Sequence, residues 1–524
     1  LLSRFAKPLQ NTELKSVPSD MENENNDKSL IRGLTLLDGI TIVVGSMIGS
    51  GIFITSAESA RLIGSPGWLI VAWAVAGVMT ICGALCLGEV AAMMPKAGGP
   101  YIFLREAYSP AVGFLFGWSQ FLVVQTGTIA AVAVAFANFT GVLFPSVSGN
   151  SYLVSPLVIG RYAISLSTQQ LLAITVIILL TLVNTRGLRV GKLIQNTFTF
   201  TKTAALFALV VLGIFVGWNS GAAAFTSDWW NPSSNGWSLH SVQPAAAVAG
   251  ALAFWLVLGR AMTGPLFSQS AWNNVTFTAG EVENPGRNLP RALLIGCLIV
   301  VVLYVSANFA YVVTLPLTEI QNAPQNRVGT ALMEHIFYAP GAYLMAAAIM
   351  ISTFGCNNGL ILAGARVYFA MAKDRLFFRA LSHTNRFHVP AVALIVQGIW
   401  ASLLVLPRTV VRNNATSEIT FGNVYTQLLE YIVSVELVFG ALGVLAVIVL
   451  RRRRPDLPRP YKTWGYPVVP LIFIALSILL VINLAILATD TAGIGYGIAL
   501  TGIPVYWLWR RNALPSEDYE RTGS

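Results

Sequence analysis

Long stretches of apolar residues recur along almost the whole chain and are separated by short polar segments. A helix needs about 17–25 apolar residues to cross the hydrocarbon core of a bilayer, and twelve stretches meet or approach that length. The pattern therefore predicts an all-α polytopic membrane protein with twelve transmembrane helices. The predicted spans are residues 38–63, 68–94, 111–144, 169–184, 193–217, 244–272, 290–315, 339–372, 391–406, 423–450, 467–488 and 493–510.

The first of these stretches contains a break in its apolar pattern. The sequence GSMIGSGIF, residues 45–53, places three glycines and two serines in the middle of the span. An interrupted helix leaves backbone N–H and C=O groups without partners, so such a break must face protein or a polar cavity. Close packing of helices through small residues is the alternative explanation for the glycines.

The sixth predicted span is interrupted in a similar way. Its sequence GRAMTGPLFSQSAWNN, residues 259–274, contains Gly264 and Pro265, followed by Ser268 and Ser270. Broken helices at corresponding positions of two halves are typical of transporters that are built from inverted repeats and bind substrate near the middle of the bilayer. Freed N–H groups at one break suit a carboxylate and freed carbonyl groups at the other suit an ammonium. The two breaks together favour a zwitterionic substrate.

Composition and charge agree with a membrane protein. Of the 524 residues, 55% are hydrophobic and 11% are charged, whereas soluble domains contain about 25% charged residues. Cytoplasmic loops are enriched in Lys and Arg, and placing both termini in the cytoplasm assigns most of these residues to inner segments. The basic run 451–462 directly follows a span and is interpreted as a contact with anionic lipid, not as a nucleic-acid site. The predicted outer segments contain Arg61, Arg161, Arg327, Arg408 and Arg412.

Five segments of the chain together resemble one superfamily of membrane transporters. They are GSMIGSGIF at 45–53, AGGPYIFLREAYSP at 97–110, GWSQFLVVQTGTIAAVAVAFANF at 117–139, GEVENPGRNLPRAL at 280–293 and RPDLPRPYKTWGYP at 454–467. These sequences resemble the amino acid–polyamine–organocation (APC) superfamily, and the branch they resemble most is that of the L-type amino acid transporters. The resemblance implies a LeuT-type fold, in which two inverted repeats of five helices, with helices 1 and 6 broken, precede two C-terminal helices.

The resemblance also implies a domain organisation. Residues 31–511 are expected to form a single transporter domain, with repeat one at about 31–217, repeat two at about 243–450 and helices 11 and 12 at about 467–510. Residues 1–30 are polar and charged and are interpreted as a disordered cytoplasmic tail. Residues 512–524 are interpreted as a second cytoplasmic tail.

Position by position, the resemblance implies a substrate site at the two breaks. The glycine-rich turn that binds the substrate carboxylate corresponds to Ser46, Met47, Ile48, Gly49, Ser50 and Gly51. The aromatic gate and the second break correspond to Phe267, Ser268, Gln269, Ser270 and Ala271, with Trp272 as a packing residue. Two positions depart from the family pattern, because Gln269 replaces a residue that is often aromatic and Ala271 replaces a common glycine.

Lys202 is the only lysine inside a predicted span. A charge near the bilayer centre costs at least ~2.5–3.5 kcal/mol, so this lysine is a functional candidate; a side chain that reaches the interface is the alternative. In the resembling family, sodium-independent members carry a lysine here, where sodium-coupled relatives bind the ion. The resemblance thus implies a sodium-independent exchanger or proton symporter in which Lys202 contacts the carbonyl groups of the first break.

Other charged residues in the predicted spans have two interpretations each. Arg260 precedes the second break and Glu430 lies outside the middle of the tenth span, so the two residues are a candidate outer gate; either side chain could instead reach headgroups or water. If Glu430 or Glu436 faces the cavity, a cationic amino acid or a polyamine becomes the expected substrate. Glu89 and Arg366 are interpreted as members of structural ion pairs.

The sequence has no feature of an active site or a metal centre. Its four histidines lie in predicted loops and its four cysteines lie in spans without metal-like spacing, and no phosphate-binding glycine motif is present. We therefore expect no enzymatic activity, no cofactor and no metal. A channel or a non-transporting nutrient sensor is the alternative from another class, and short tails without a signalling domain argue against a sensor.

The expected substrate is an amino acid with a neutral side chain, because the side chains at the two breaks are small or neutral. Human-type L-type transporters are joined to a helper glycoprotein through a cysteine in the loop after the third span. Residues 145–162 contain no cysteine, so the resemblance implies no disulfide-linked helper subunit. We expect a self-sufficient carrier in a bacterial inner (plasma) membrane, with both termini in the cytoplasm.

Overall fold

Apolar helices make up most of the computed structural model. The structure describes residues 32–160, 162–238, 252–412, 419–423 and 425–510. The predicted tails, residues 1–30 and 512–524, lie outside the described residues, as does the first part of the predicted sixth span.

Polar caps and prolines begin most helices of the first half. Thr35 and Asp38 form a capping box at the start of α1, and Ser167 and Gln170 form another at the start of α7. The helices α5 and α6 are joined by a π-helical turn at Gln120–Val124. The helices are α1 (Leu36–Met47), α2 (Gly51–Ile63), α3 (Pro66–Met93), α4 (Pro100–Ala107), α5 (Pro110–Ser119), α6 (Gln125–Leu143), α7 (Thr168–Asn184), α8 (Leu188–Phe215) and α9 (Ala223–Thr226).

The second half contains longer helices and several short ones. The helix α15 is kinked at Tyr338, where φ is 57° and Pro340 follows, and the predicted eighth span begins at this kink. The helices are α10 (Ala253–Ala261), α11 (Thr263–Ser268), α12 (Asn274–Phe277), α13 (Pro285–Thr314), α14 (Leu317–Gln321), α15 (Val328–Lys373), α16 (Ala391–Leu404), α17 (Tyr425–Arg453), α18 (Val468–Leu487), α19 (Thr489–Leu500) and α20 (Gly502–Trp509).

Seven helical segments of the described chain are long and apolar enough to cross a membrane, counting α5 and α6 together. The bent pair α1 and α2, with an angle of 41° between its two halves, makes an eighth. The helices α7 and α16 are apolar but shorter. The structure therefore agrees with a multi-pass membrane protein, while the count of twelve spans and the LeuT-type arrangement stay predictions.

A four-stranded antiparallel sheet joins two segments that were expected to be outer loops. Its order is β1-β2-β3-β4, and Tyr162 is paired with Thr409 across β2 and β3. The sheet ties the segment after α6 to the segment after α16. The strands are β1 (Tyr152–Ile159), β2 (Tyr162–Ser167), β3 (Pro407–Arg412) and β4 (Ile419–Asn423).

The broken first span lies inside the helical bundle. Its first half, α1, contacts α8, α13 and α15, and its second half, α2, contacts α10, α11 and α15. Ile48 and Ile52, which flank the bend, are fully buried. Because the bend is enclosed by protein on all these sides, its backbone groups do not face lipid.

Two buried ion pairs fix helix ends to neighbouring segments. Arg451 at the end of α17 binds Glu89 of α3 with 2.7 Å between Nη2 and Oε2, and Arg366 of α15 binds Glu281 at 3.0 Å. The prediction that Glu89 and Arg366 belong to ion pairs is therefore confirmed.

Candidate functional site

Two glycines at the first break are required by close contacts. The helix α1 ends at Met47 and the next residue, Ile48, has an extended conformation with φ −73° and ψ 90°. A Cβ atom on Gly49 would lie 2.9 Å from the sulfur of Cys356, and one on Gly51 would lie 2.9 Å from the Cα of Ser268. A larger residue at Gly51 would therefore push the two broken helices apart, and one at Gly49 would push the first break away from α15.

Side chains from three surrounding helices donate hydrogen bonds to the carbonyl groups of the first break. The donors come from α8, α13 and α15, so the carbonyl groups released at the end of α1 are already paired. The bonds are Lys202 Nζ to Gly45 O, Cys356 Sγ to Ser46 O at 3.1 Å, Tyr304 OH to Met47 O at 2.8 Å, and Ser352 Oγ to Ile48 O at 3.2 Å and Gly49 O at 3.3 Å.

Two N–H groups of the same break, unlike its carbonyl groups, have no described hydrogen-bond partner. Among the described residues, none accepts a hydrogen bond from the backbone N–H of Gly49 or Gly51. These groups lie at the start of α2, where the helix dipole adds partial positive charge. The break therefore offers hydrogen-bond donors and a positive potential, which suit an anion such as a carboxylate.

Lys202 points directly at the first break. Its side chain is only 1% exposed, and Nζ lies 3.4 Å from the carbonyl oxygen of Ser352 in addition to its bond with Gly45. No carboxylate of the described chain pairs with it. The alternative in which this side chain reaches the interface is therefore wrong, since its ammonium is surrounded by backbone carbonyl groups.

The sixth predicted span is interrupted twice. The helix α10 ends at Ala261 and α11 begins at Thr263, so the first interruption, at Met262, lies just before Gly264 and Pro265. Pro265 is in the first turn of α11, where a helix does not need the N–H group that proline lacks. The helical pattern stops again after Ser268 and resumes at Asn274. This longer interruption, residues 269–273, includes the predicted Ser270 and is the second break of the site.

The second break presents a hydrogen-bond acceptor, Gln269 Oε1, and a donor, Asn274 Nδ2, that have no described partner. Ala271 adopts a left-handed conformation with φ 63°. Gln269 is 1% exposed; its Nε2 donates to the carbonyl oxygen of Trp73 at 3.1 Å, and its Oε1 has no described donor. Left-handed backbone favours glycine, which gives a physical meaning to the family's glycine at position 271.

The two breaks touch each other. The hydroxyl of Ser268 lies 3.1 Å from the hydroxyl of Thr55, which donates to the carbonyl oxygen of Gly51 at 3.0 Å. Ser268 also donates to the carbonyl oxygen of Gly264 at 2.8 Å. The structure therefore brings the predicted residues of spans one and six together at a single place in the fold.

A cavity extends from the second break towards α3, α17 and α18, and we call it the second-break cavity. Glu436 and Gln269 face it, and the aromatic ring of Trp272 lines it and packs against Gly83. Phe267, the candidate gate, is buried at the end of α11. The polar residues that line the cavity are Thr80, Gln120, Gln269, Ser270, Asn273 and Glu436.

The candidate gate residues form an ion pair. Arg260 Nη2 lies 3.3 Å from Glu430 Oε1, and Glu430 also accepts a hydrogen bond from Thr491. Both residues line a small cavity, here called the gate cavity, together with Thr55 and Gly264. The pair therefore lies beside the contact between the two breaks.

Several residues of the site were not found by sequence reasoning. Ser352, Cys356 and Tyr304 contact the first break through hydroxyl or thiol groups that lie in ordinary apolar helices. Such groups also occur in helices where they bond only to their own backbone, as Thr353 does. The sequence contains no signal that separates the two cases.

Comparisons with known proteins identify the family of this chain. The family model described as amino acid permease matches residues 34–509. The serine/threonine exchanger SteT of Bacillus subtilis is 29% identical over 92% of this chain and 97% of its own length. The large neutral amino acids transporter small subunit 2 of Homo sapiens is 31% identical over 92% of this chain and 81% of its length, and the b(0,+)-type amino acid transporter 1 of Homo sapiens is 27% identical over 89% and 85%.

These findings confirm the resemblance to the APC superfamily, and they point to a transporter rather than an enzyme. They cover the described helices almost completely, from the segment before α1 to α20. The chain belongs to the amino acid permease family.

Proposed function

We propose that the protein is a sodium-independent secondary transporter of amino acids, chiefly neutral L-amino acids, which works by alternating access as an exchanger or a proton symporter. The observation that carries the proposal is the asymmetry of the first break. Its carbonyl groups are paired with side chains, while the N–H groups of Gly49 and Gly51 have no described acceptor. A substrate carboxylate would complete these hydrogen bonds.

The substrate site in this proposal comprises residues 46–51 and 267–271. The carboxylate binds at the first break, and the ammonium binds at the acceptor groups of the second break. The contact between Ser268 and Thr55 supports a single shared site. Names of the relatives support the substrate class, since they include an exchanger of serine and threonine and a transporter of large neutral amino acids.

Lys202 supplies the cation of the site in this proposal. Its buried ammonium contacts carbonyl oxygen atoms of the first break and of α15, as a bound sodium ion would. Phe267 serves as a gate over the substrate, and the Arg260–Glu430 pair closes the outer pathway. The full arrangement proposed is twelve helices of the LeuT type in a plasma membrane, with cytoplasmic termini and no disulfide-linked helper subunit.

A basic side chain on the substrate is a second candidate, and one observation favours it. Glu436 faces the second-break cavity, and the lining of that cavity contains no basic residue. A carboxylate without a cation in an enclosed site is costly, and the ammonium of a cationic amino acid or a polyamine would offset that cost.

Uptake into proteoliposomes tests the proposal. The purified protein is reconstituted, and uptake of radiolabelled threonine is measured in competition with each of the twenty amino acids, with and without sodium and a pH gradient. We expect competition by neutral L-amino acids, no dependence on sodium, and no competition by decarboxylated analogues. Uptake that rises steeply with sodium at fixed pH and membrane potential would contradict the role of Lys202. Competition by the decarboxylated analogue would contradict the carboxylate site.

A further inference from the structure

A separate cavity lies between the β-sheet and the ends of α6 and α15. Arg327, which precedes α15, and Arg408 of β3 both line it, together with Asn138, Ser148 and Gln169. We call it the arginine cavity. Both arginines belong to segments that the distribution of Lys and Arg along the sequence predicts to lie on the outer side of the membrane.

These two arginines differ from all other described arginines that are shielded from solvent. Each of the others has a carboxylate within ion-pair distance, whereas neither Arg327 nor Arg408 has one among the described residues. Arg408 is only 5% exposed, so its charge is buried, and the described chain supplies no counter-charge. The paired arginines are Arg61 with Glu58, Arg105 with Asp374, Arg260 with Glu430, Arg366 with Glu281, and Arg451 and Arg459 with Glu89.

Neutral groups hold both guanidinium groups in place. Arg408 Nη1 donates to the hydroxyl of Tyr152 at 3.0 Å, and Arg327 Nη2 donates to Asn138 Oδ1 at 2.7 Å and to its carbonyl oxygen at 3.0 Å. The Nε atom of Arg327 is buried and has no described acceptor. Both guanidinium groups are therefore held in fixed positions at the cavity wall. Their positive charges have no carboxylate partner among the described residues, and Arg327 can still donate a hydrogen bond from Nε.

Burial does not remove these charges at neutral pH. Desolvation lowers the pKa of Arg327 to about 10, and desolvation also lowers the pKa of Arg408, although Tyr152 opposes the change. Both groups stay protonated at pH 7. A buried charge is stabilised by a counter-ion, and the described chain does not supply one here, so an anion from solution would fit the cavity.

The arginine cavity adjoins the gate cavity. Ile54 and Asn326 line both the arginine cavity and the gate cavity, which contains the Arg260–Glu430 pair. The gate cavity in turn includes Thr55 at the contact between the breaks. The gate pair and the contact between the breaks therefore lie at the cavity that adjoins the arginine cavity.

We propose that the arginine cavity is a binding site for the carboxylate of an incoming amino acid, which it holds before the substrate passes the Arg260–Glu430 pair. Guanidinium groups bind carboxylates through charge-assisted hydrogen bonds, and a positively charged recess raises the local concentration of anions and their rate of association. This inference rests on the proposed transport function. An inorganic anion such as chloride has the same charge, and the experiment separates it from the carboxylate.

Initial rates of radiolabelled threonine uptake are measured in proteoliposomes for the wild type, Arg327→Gln and Arg408→Gln. We expect each substitution to raise KM by about fivefold or more, because capture slows, and to change kcat by less than about twofold. The effect on KM should shrink at high ionic strength, where the wild type loses its electrostatic advantage. Arg61→Gln is the matched control, since it removes one charge from the same predicted side but outside the arginine cavity.

Four results would overturn the carboxylate site. They are equal KM values for all variants, a loss of kcat instead of a rise in KM, a KM increase for Arg61→Gln as large as that for the cavity variants, and a failure of Arg408→Lys to recover most of the wild-type KM. The last result would mean that Arg408 acts by supporting Tyr152 and not through its charge.

Replacing external chloride with gluconate tests the inorganic anion. Wild-type uptake that requires chloride, together with variants that do not respond to it, would assign the arginine cavity to chloride and contradict the proposal. Wild-type protein that carries no amino acid would contradict the proposed function itself, whereas active wild type with unaffected variants would contradict only the arginine cavity.

Discussion

The two broken spans contact each other but differ in which of their polar groups have described partners. At the first break, side chains such as Tyr304 and Ser352 pair with the carbonyl groups and leave N–H donors open. At the second break, the buried atoms without a described partner are an acceptor, Gln269 Oε1, and a donor, Asn274 Nδ2. The first break therefore leaves N–H donors open, whereas the second leaves both an acceptor and a donor.

The difference shows that a broken helix does not define its ligand by itself. The surrounding side chains decide which half of the freed backbone stays available, because they bond to one set of groups and leave the other. An amino acid carries both charges, so two breaks with different open groups suit it better than two identical breaks. Substitutions that act on one break only can test this comparison.

The largest effect is expected from Gly51→Ala at the first break. A Cβ atom at this position would lie 2.3 Å from Ser268 Oγ and 2.9 Å from Ser268 Cα, and the backbone atom cannot move without separating the breaks. Binding of radiolabelled threonine to the purified protein should be lost. Gly127→Ala in α6 is the matched control, because its nearest neighbour would be 3.5 Å away, and we expect it to bind normally. Normal binding by Gly51→Ala would show that the breaks need not touch.

A loss of about a hundredfold in transport rate is expected from Lys202→Ala. The substitution removes the charged donor to Gly45 O and Ser352 O. Gly45 O lies in the last turn of α1 and loses its described donor, whereas Ser352 O lies inside α15, where carbonyl groups are paired along the helix. A hydrogen bond to a charged group contributes about 1.5–3 kcal/mol, and about 1.4 kcal/mol corresponds to a tenfold change. Lys202→Arg should recover little, because the planar guanidinium is larger than the ammonium that fits this space.

Lys192→Ala on the same helix is the control for Lys202. Its partner Asp38 keeps hydrogen bonds to Asn196 at 2.7 Å and to the Thr35 N–H at 2.9 Å, so the loss should be several times smaller. Uptake in proteoliposomes compares the three variants at equal reconstituted amounts. Equal losses for Lys192→Ala and Lys202→Ala would mean that the lysine at the break has no special role.

Sequence reasoning identified the first break and the helix type because both depend on local composition. Apolar runs and the cluster of glycines at 45–51 are visible without any knowledge of neighbours. Lys202 was identified by the same logic, since a charge in an apolar run stands out. These features persist in the structure, where Lys202 contacts Gly45.

Features that depend on distant contacts were not predictable. The strands β1 to β4 pair segments that are far apart in the chain, for example Ala163 with Arg408, and their sequence shows no clear alternation. The longer interruption at residues 269–273 begins after Pro265, because proline does not interrupt a helix in its first turn. The polarity of each break depends on donors from other helices, so it appears only when the helices are packed.

A change of about tenfold in selectivity is expected from Glu436→Gln at the second break. Lysine and norleucine have similar chains, but only lysine carries a side-chain ammonium, and a charged hydrogen bond contributes about 1.5–3 kcal/mol. The ratio of the lysine to the norleucine inhibition constant for threonine uptake should rise in the variant. Glu430→Gln is the control, because Glu430 pairs with Arg260 and does not line the second-break cavity.

The Glu436 experiment separates two interpretations of this carboxylate. If Glu430→Gln changes the lysine to norleucine ratio as much as Glu436→Gln does, the effect arises from net charge and not from the second-break cavity. If neither variant changes the ratio, Glu436 does not contact the substrate side chain, and the candidate cationic substrate loses its support.

The smallest effect is expected from Ala271→Gly, which tests whether the second break is strained. A left-handed backbone at φ 63° costs a non-glycine residue about 1–2 kcal/mol. Glycine opposes this gain, because it loses more backbone entropy on folding than alanine does, at a cost of about 0.4–1 kcal/mol. The substitution should therefore increase the free energy of unfolding by up to about 1.6 kcal/mol. Ala76→Gly, in the middle of α3, should have the opposite sign, because helical glycine is about 1 kcal/mol less favourable than alanine. Thermal denaturation of the purified variants measures both shifts. A destabilised Ala271→Gly would show that the methyl group contributes more through packing than the backbone strain costs, and the second break would then be shaped by side-chain contacts as the first is.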